Sequence, residues 1–146
     1  MLRRLTLEDM DRAAVVHRAA FDQALPKLVG LHTPSEDRWF YRERLFPTRQ
    51  LWGAFETSDM VGVIAFGAGW VDQLYVLPST QRRGIGSRLL GVAQREFDQL
   101  QLWTFQCNVA ARRFYEAKGF VLVEETNGTR NEEQEPDALY RWRRGG

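Results

Sequence analysis

The stretch YVLPSTQRRGIGSRLL, residues 75–90, places the strongest constraint on how this 146-residue chain can fold. Its first residues have the apolar and aromatic character of a β-strand, and Pro78 marks the end of that strand. Gly84 and Gly86 follow in a loop and carry no side chain that would cover its backbone. A leucine-rich helical pattern begins directly after them. The stretch therefore predicts a strand, a short loop and a helix in immediate succession.

Two helices are predicted earlier in the chain, after a short strand candidate at residues 2–5. Thr6 fits a helix N-cap with Asp9 at the reciprocal position of a capping box. Thr33 and Glu36 repeat that signature and predict a second, shorter helix that ends near residue 45. The first helix is amphipathic. The side chains on its apolar face are Met10, Ala13, Ala14, His17 and Phe21.

From residue 50 onward the pattern is that of short strands separated by turns. Three neighbouring runs, at residues 50–56, 61–69 and 70–76, predict an antiparallel meander. The remaining elements are predicted as helices at about 84–98 and 109–118 and strands at 101–106, 120–125 and 138–143. The order β-α-α-β-β-β-α-β-α-β-β predicts an α+β fold, a three-layer α/β/α sandwich around a mixed, mostly antiparallel sheet of about seven strands.

Composition limits the classes of function. A length of 146 residues predicts a single domain over residues 1–146, and a net charge of +1 argues against nucleic-acid or membrane partners. Cys107 is the only cysteine, so a disulfide framework or a multi-cysteine metal site is excluded, and no metal is expected. The N-terminus lacks the apolar core of a signal peptide. We therefore expect a soluble, cytoplasmic protein.

The glycine loop is a candidate anion site. Backbone N–H groups at the start of a helix converge on a negative charge, and Gln81, Arg82 and Arg83 can add side-chain donors. Two glycines without further motif residues are also typical of an ordinary loop before a helix. A dinucleotide fingerprint is excluded because Leu89 occupies the position of its third glycine. A Walker A loop is excluded because Gly86 is followed by Ser-Arg instead of Lys-Ser or Lys-Thr.

Two motifs together resemble one family. Gln81, Gly84 and Gly86 fill the fixed positions of the Gln/Arg-x-x-Gly-x-Gly/Ala signature of the GCN5-related N-acetyltransferase (GNAT) family. Downstream, NVAARRFYEAKGF is similar to the family's Asn-x-x-Ala-x-x-x-Tyr-x-x-x-Gly-Phe block in spacing and identity. Its matching residues are Asn108, Ala111, Tyr115, Gly119 and Phe120. The two motifs cover about residues 70–120, and the elements before them also fit the family.

The resemblance implies a cofactor site. In the family, acetyl-CoA lies where the fourth and fifth strands separate, and its pantetheine arm pairs with the fourth strand in the manner of an added β-strand. The backbone of Leu74, Tyr75 and Val76 is expected to hold that arm. Asn108 matches a position that contacts the arm, and it can also cap the following helix. The expected pyrophosphate contacts are Gln81, Arg82, Arg83, Gly84, Ile85, Gly86 and Ser87.

The resemblance also implies direct attack of an amine on the acetyl thioester. Tyr115 matches the general acid that protonates the departing thiolate, although it can also be a core aromatic residue. The N–H of Val76 is the candidate that polarises the carbonyl. Many members carry the base on the fifth strand, but this chain has LWTFQCN there. Asp72 is the first alternative for the base, unless it is merely a solvated strand residue, and a water chain could also serve. Weaker candidates for the base are Glu43 and His32.

The acceptor side is predicted from the two early helices and from the acidic segment EETNGTRNEEQEPD at 124–137. His32 and Glu133 are the expected acceptor contacts, since carboxylates attract an ammonium group. The alternative is a solvated loop between two strands. The aromatic residues at 39–41 could line the pocket, but such a cluster is more often core. Cys107 is expected to be a small buried thiol, not an acyl carrier, because no histidine is near it in sequence.

The predicted function is transfer of acetyl from acetyl-CoA to a primary amine of a small molecule or peptide. The alternative is a non-catalytic acyl-CoA-binding or sensing module that has kept the cleft and lost the base. The hypothesis that the arginines bind nucleic acid has weak support from the sequence. The protein is expected to be a monomer or a homodimer.

Overall fold

The computed structural model describes all residues from Met1 to Gly146. The helices are α1 (Met10–Ala24), α2 (Pro34–Trp39), α3 (Ile85–Glu96) and α4 (Val109–Ala117). The strands are β1 (Leu2–Arg4), β2 (Gln50–Glu56), β3 (Asp59–Gly67), β4 (Trp70–Val76), β5 (Gln99–Phe105), β6 (Val121–Glu125) and β7 (Asp137–Arg143). This order of helices and strands matches the predicted one. No helix has the length and apolar character needed to cross a membrane.

All seven strands form one mixed sheet in the order β1-β2-β3-β4-β5-β7-β6. Every neighbouring pair is antiparallel except β4 and β5, which are parallel. The predicted fold class, a three-layer sandwich around a mostly antiparallel sheet of about seven strands, is confirmed. The single parallel pair lies in the middle of the sheet, next to the predicted loop.

Two separate cores show that helices cover both faces of the sheet. One face of β2 and β3 packs against α1, with Val16, Tyr41 and Val63 fully buried. The other face packs against α3 and α4, with Ile64, Leu89 and Leu90 fully buried. Because side chains alternate along a strand, the neighbours Val63 and Ile64 enter different cores.

The helix starts follow the predicted capping signals. The Thr6 N–H donates to Asp9 Oδ2 at 2.7 Å, and Thr33 and Glu36 exchange bonds of 2.8 and 3.1 Å. The predicted apolar face of α1 is buried along its whole length. The second helix differs from prediction, because beyond Trp39 the chain widens into a π-helical segment, Phe40–Leu45. These wider turns bury Tyr41 and Leu45 against the sheet.

His17 is a buried polar residue within the α1 core. Its Nδ1 lies 2.8 Å from the hydroxyl oxygen of Tyr41, and its ring centroid lies 4.3 Å from that of Tyr75. Loss of hydration on burial, with a smaller contribution from the charge of Arg18, lowers the pKa of His17 to about 4. The imidazole is therefore neutral in the folded protein at neutral pH.

This histidine predicts acid sensitivity. In the unfolded chain the imidazole takes up a proton near its ordinary pKa of about 6.5, whereas in the folded protein it is not protonated until the pH falls to about 4. The free energy of unfolding should therefore fall by roughly 3 kcal/mol as the pH drops through that window. Urea unfolding at several pH values measures it. The His17→Gln variant, which does not titrate there, should show a flatter profile, and identical profiles would contradict the prediction.

Candidate functional site

The cleft begins where β4 and β5 separate. The two strands pair only at Trp70 and Gln101, and a bulge at Asp72 bends β4 away from β5. Beyond this point no strand occupies the outer edge of β4. The opening widens into a cleft of about 1580 Å³ that passes from the α3 and α4 side of the sheet to the end of α1.

The backbone of β4 turns toward this cleft groups that no neighbouring strand pairs with. The N–H of Leu77 donates to the carbonyl of Val61 on β3 at 2.8 Å. Because backbone groups alternate in direction along a strand, those of Tyr75 also face β3, and those of Leu74 and Val76 face the cleft. The side chain of Gln81 confirms this direction, since its Nε2 donates to the carbonyl of Val76 at 3.0 Å. Tyr75 therefore faces the cleft through its side chain.

The loop before α3 is a set of free backbone donors. None of the N–H groups from Arg82 to Ser87 donates to a protein oxygen, and the first helical bond joins the Arg88 N–H to the Gly84 carbonyl at 3.1 Å. Gly84 has a φ of 78°, in the left-handed region that favours glycine. Arg82 has a φ of 69°, which is uncommon for a residue with a side chain and typical of functional sites. These donors and the helix dipole favour an anion.

The side chains of this loop divide into two groups. Gln81, Arg82 and Ser87 line the cleft. Arg83 lies outside it, because its Nη1 pairs with Glu56 Oε2 at 3.0 Å. Ile85 is buried in the core and offers only its backbone to the cleft. Of the two neighbouring arginines, only Arg82 therefore lines the cleft.

Asn108 and Tyr115 bring α4 to the same cleft. Asn108 caps α4, with its Oδ1 accepting from the Ala111 N–H at 3.2 Å, and it also lines the cleft. The Tyr115 ring packs against those of Phe114 and Phe120, with centroids 5.2 and 5.5 Å away. No protein group hydrogen-bonds its hydroxyl, although the residue lines the cleft. Burial raises the pKa of Tyr115, so its hydroxyl stays protonated and can donate.

The three sequence candidates for a base occupy different environments. Asp72 lines the cleft, and its Oδ2 lies 2.5 Å from Nε of Arg49. Burial raises the pKa of Asp72, although the guanidinium of Arg49 opposes this. Asp72 is therefore an exposed strand residue that is ion-paired with Arg49. Neither Glu43, which is exposed, nor His32, whose Nε2 lies 3.1 Å from Glu132 Oε1, lines the cleft.

The far half of the cleft is built from the end of α1 and the segment between β6 and β7. Glu133 lines it and is half-buried. Phe21 and Phe105, which the sequence analysis did not assign to the site, line it with ring centroids 6.4 Å apart. The aromatic residues at 39–41 do not line it, and Tyr41 belongs to the α1 core.

Cys107 differs from expectation. It was predicted to be a buried thiol, but it is exposed and lines the cleft, because it lies in the turn between β5 and α4. No hydrogen bond or ion pair joins either histidine to it, so neither histidine is placed to activate it as a nucleophile. No group of three or more histidine, cysteine or acidic side chains is arranged to hold a metal ion.

Comparison with known proteins identifies the family. Residues 17–120 match the model of the Acetyltransferase (GNAT) family, and they include β4, the glycine loop and most of α1. This chain belongs to the GNAT family. The peptidyl-lysine N-acetyltransferase YiaC of Escherichia coli is 31% identical over 84 residues, which cover 57% of this chain and 58% of that protein. The chain thus spans about half the length of the curated relatives that it matches.

Solved structures of the same family share the fold. A GNAT protein from Rhodopseudomonas palustris superposes with a TM-score of 0.81 at 19% identity, covering 98% of this GNAT chain and 94% of its own. PaiA N-acetyltransferase from Thermoplasma acidophilum, solved in complex with coenzyme A, superposes with a TM-score of 0.70 at 20% identity. That match covers 98% of both chains. At these identities the similarity establishes the common architecture.

Proposed function

We propose that this GNAT protein transfers the acetyl group of acetyl-CoA to a primary amine by direct attack. The observation that carries the proposal is the free edge of β4 directly beside the unpaired N–H groups of Arg82 to Ser87. A pantetheine arm has amides that can pair with such an edge, and a pyrophosphate needs such a cluster of donors. The coenzyme A held by the PaiA protein supports the same ligand here.

The cofactor would bind along β4 and end at the loop. Leu74 and Val76 offer the backbone groups that can pair with the two amides of the arm, and Asn108 lies on the opposite wall. The pyrophosphate would rest on the loop N–H groups, with Gln81 and Arg82 at its rim. This orientation directs the thioester toward Tyr115 and the far half of the cleft. The resulting site has a phosphate end and an acceptor end.

The chemistry requires three proton and charge movements. A neutral amine attacks the thioester carbonyl, and the Val76 N–H can polarise the carbonyl oxygen as negative charge develops. The C–N bond forms, the C–S bond breaks, and the Tyr115 hydroxyl donates its proton to the departing thiolate, while the proton that the attacking nitrogen then releases restores the hydroxyl. The proton that the ammonium loses must go to a base. Asp72 is the base that the sequence suggested, but its pairing with Arg49 leaves it poorly placed to accept that proton.

The acceptor class proposed is a primary amine of a small molecule or peptide. The name of YiaC, a peptidyl-lysine N-acetyltransferase, makes the lysine side chain the first acceptor to test. A non-catalytic acyl-CoA-binding module is the second candidate. The observation that favours it is that β5 contributes no carboxylate to the cleft.

We expect the protein to bind acetyl-CoA and to release free thiol only when an amine is present. Calorimetry measures binding, and a thiol-reactive dye follows turnover with butylamine, spermidine, a lysine peptide and a peptide with a free N-terminus. Binding without turnover on any acceptor would favour the non-catalytic module. Absence of acetyl-CoA binding would contradict the assignment of the cleft itself.

A further inference from the structure

The unassigned part of the proposed reaction is the group that takes the proton of the amine. Five carboxylates line the cleft: Asp72, Glu124, Glu125, Glu133 and Asp137. Three of them already have protein partners. Asp72 pairs with Arg49, Glu125 pairs with Arg112 at 3.1 Å, and Asp137 accepts bonds from Thr126 and Asn131. The unpaired carboxylates are Glu124, which is exposed, and Glu133, which is half-buried.

Glu133 lies on the acceptor side of the cleft, beside an aromatic wall. The ring centroids of Phe21 and Tyr75 are 6.4 Å apart, and Phe105 continues the wall at the same spacing from Phe21. Glu133, Tyr75, Phe21 and Phe105 all line this cleft. An amine carried on an aliphatic stem would meet apolar ring surface along its length and a carboxylate at its charged end.

The segment that carries Glu133 is ordered by its own polar side chains. Asn131 bonds to Glu135 twice, through Nδ2 to the carbonyl at 2.7 Å and through Oδ1 from the N–H at 3.1 Å. Gln134 donates to the carbonyls of Thr129 and Asn131 at 3.2 and 2.7 Å. At Gly128 an added β-carbon would lie 2.3 Å from the backbone of Glu135, so the turn closes tightly. The carboxylate of Glu133 is therefore presented by a fixed backbone.

The same segment is tied to the connection between α1 and α2. Lys27 pairs with Glu135 at 2.7 Å, and His32 lies 3.1 Å from Glu132. These contacts flank Glu133 in sequence on both sides, and the Lys27 pair joins the segment to the residues that follow α1. His32, expected as an acceptor contact, lies outside the cleft and contacts the exposed Glu132 side chain.

We propose that Glu133 binds the ammonium group of the acceptor and accepts its proton, which leaves the neutral amine whose lone pair forms the C–N bond. The inference rests on the proposed acetyl transfer and names the base of that same site. This first proton moves from nitrogen to the Glu133 carboxylate and then to solvent at the mouth of the cleft. After the C–N bond forms, the nitrogen loses a second proton, which balances the one that Tyr115 gives to the departing thiolate. Asp72, held by Arg49, remains a structural partner at the bulge of β4.

Several charged and titratable groups lie on the elements that carry Glu133 or flank the acceptor end of the cleft. On its own segment and on β6 and β7 they are Glu124, Arg130, Glu132, Glu135 and Asp137; on β4 it is Tyr75. On α1, α2 and their connection they are Arg18, Asp22, Lys27, His32 and Asp37. Arg130 is exposed and unpaired, and every other cation in this set already holds an acidic partner. Within this set, Arg130 is therefore the one cation free to compete with an incoming ammonium group for Glu133.

The test uses the Glu133→Gln variant with Nα-acetyl-lysine methylamide as probe. We expect the probe to bind the protein–CoA complex roughly 10-fold to 100-fold more weakly by calorimetry, because a hydrogen bond to a charged group is lost. We expect kcat/KM near neutral pH to fall about 100-fold or more. In the variant, kcat/KM should keep rising with pH up to the pKa of the amine, about 10.4, because only amine that is already deprotonated in solution can react. The wild type should level off at lower pH.

The matched control is Glu132→Gln, the same change one residue earlier in a side chain that is 65% exposed and outside the cleft. It should alter probe binding and kcat/KM by less than about threefold, since exposed ion pairs contribute little. Loss of CoA affinity in Glu133→Gln would overturn the proposal by showing a structural role. If kcat/KM kept rising with pH in Asp72→Asn and not in Glu133→Gln, the proposal would be overturned and Asp72 would be the base.

The binding measurement separates this inference from the proposed function. If the wild type binds CoA and the probe but transfers no acetyl group, the proposed function fails. Weaker probe binding by Glu133→Gln would then still support the ammonium site. If the wild type with CoA bound does not bind the probe at about 10 mM, the ammonium site itself is overturned.

Discussion

The Tyr115→Phe variant should lose about 100-fold to 1000-fold in kcat while its affinity for CoA stays within about threefold of the wild type. Phenylalanine keeps the ring that packs between Phe114 and Phe120 and removes only a hydroxyl that has no protein partner. The cleft should therefore keep its shape, and only the proton for the departing thiolate is lost. Because burial raises the pKa of Tyr115, wild-type activity should show no decline from ionisation of this residue at moderately alkaline pH.

The control for this prediction is Tyr140→Phe, the same chemical change at a buried tyrosine outside the cleft. The Tyr140 hydroxyl donates to Glu116 at 2.7 Å and accepts from Arg112 at 2.9 Å. Its loss should lower the free energy of unfolding by about 1 to 2 kcal/mol and leave kcat unchanged. Equal kcat values in Tyr115→Phe and wild type would exclude Tyr115 as the general acid. A wild type that binds CoA without turnover would instead be the non-catalytic module.

The elements of the fold were predictable because their signals are local. The Thr6 and Thr33 caps, the alternation along β2 to β4 and the glycine loop each depend on residues a few positions apart. The π-helical segment Phe40–Leu45 was not predicted, because its wider turns follow from how Tyr41 and Leu45 meet the sheet. Tertiary packing decided that geometry, and no local pattern records it.

The site was predictable only where a motif fixes the backbone. The loop from Gln81 to Ser87 and the position of Tyr115 in the cleft follow from spacing along the chain. The direction of the Arg83 side chain depends on Glu56, which is 27 residues away in sequence. The same is true of Asp72, whose pairing with Arg49 no strand pattern can indicate. The sequence named Glu133 as an acceptor contact, but only the partners of the other cleft carboxylates show that Glu133 is half-buried and unpaired among them.

A Gly86→Val substitution should weaken CoA binding roughly 30-fold to 100-fold, the largest effect expected from any change in the loop. A β-carbon at this position would lie 3.4 Å from the ring of Phe114 and 3.8 Å from the side chain of Val76. The two further methyl groups of valine must then displace Phe114 or extend into the space before the free N–H groups. Both outcomes disturb the gap between α3 and α4, where we propose that the cofactor arm passes Tyr115. Calorimetry with CoA measures the loss directly.

Gly91→Ala supplies the comparison, because it adds a side chain to the same helix away from the cleft. Its β-carbon would meet only the end of Arg95, at 3.8 Å, so alanine fits without displacement. Replacing a mid-helix glycine with alanine should raise the free energy of unfolding by about 1 kcal/mol and leave CoA affinity unchanged. If Gly86→Val bound CoA as tightly as Gly91→Ala, the loop would not be the phosphate site. The cofactor could then still pair with β4, but its pyrophosphate would have to bind groups other than the free N–H donors of Arg82 to Ser87.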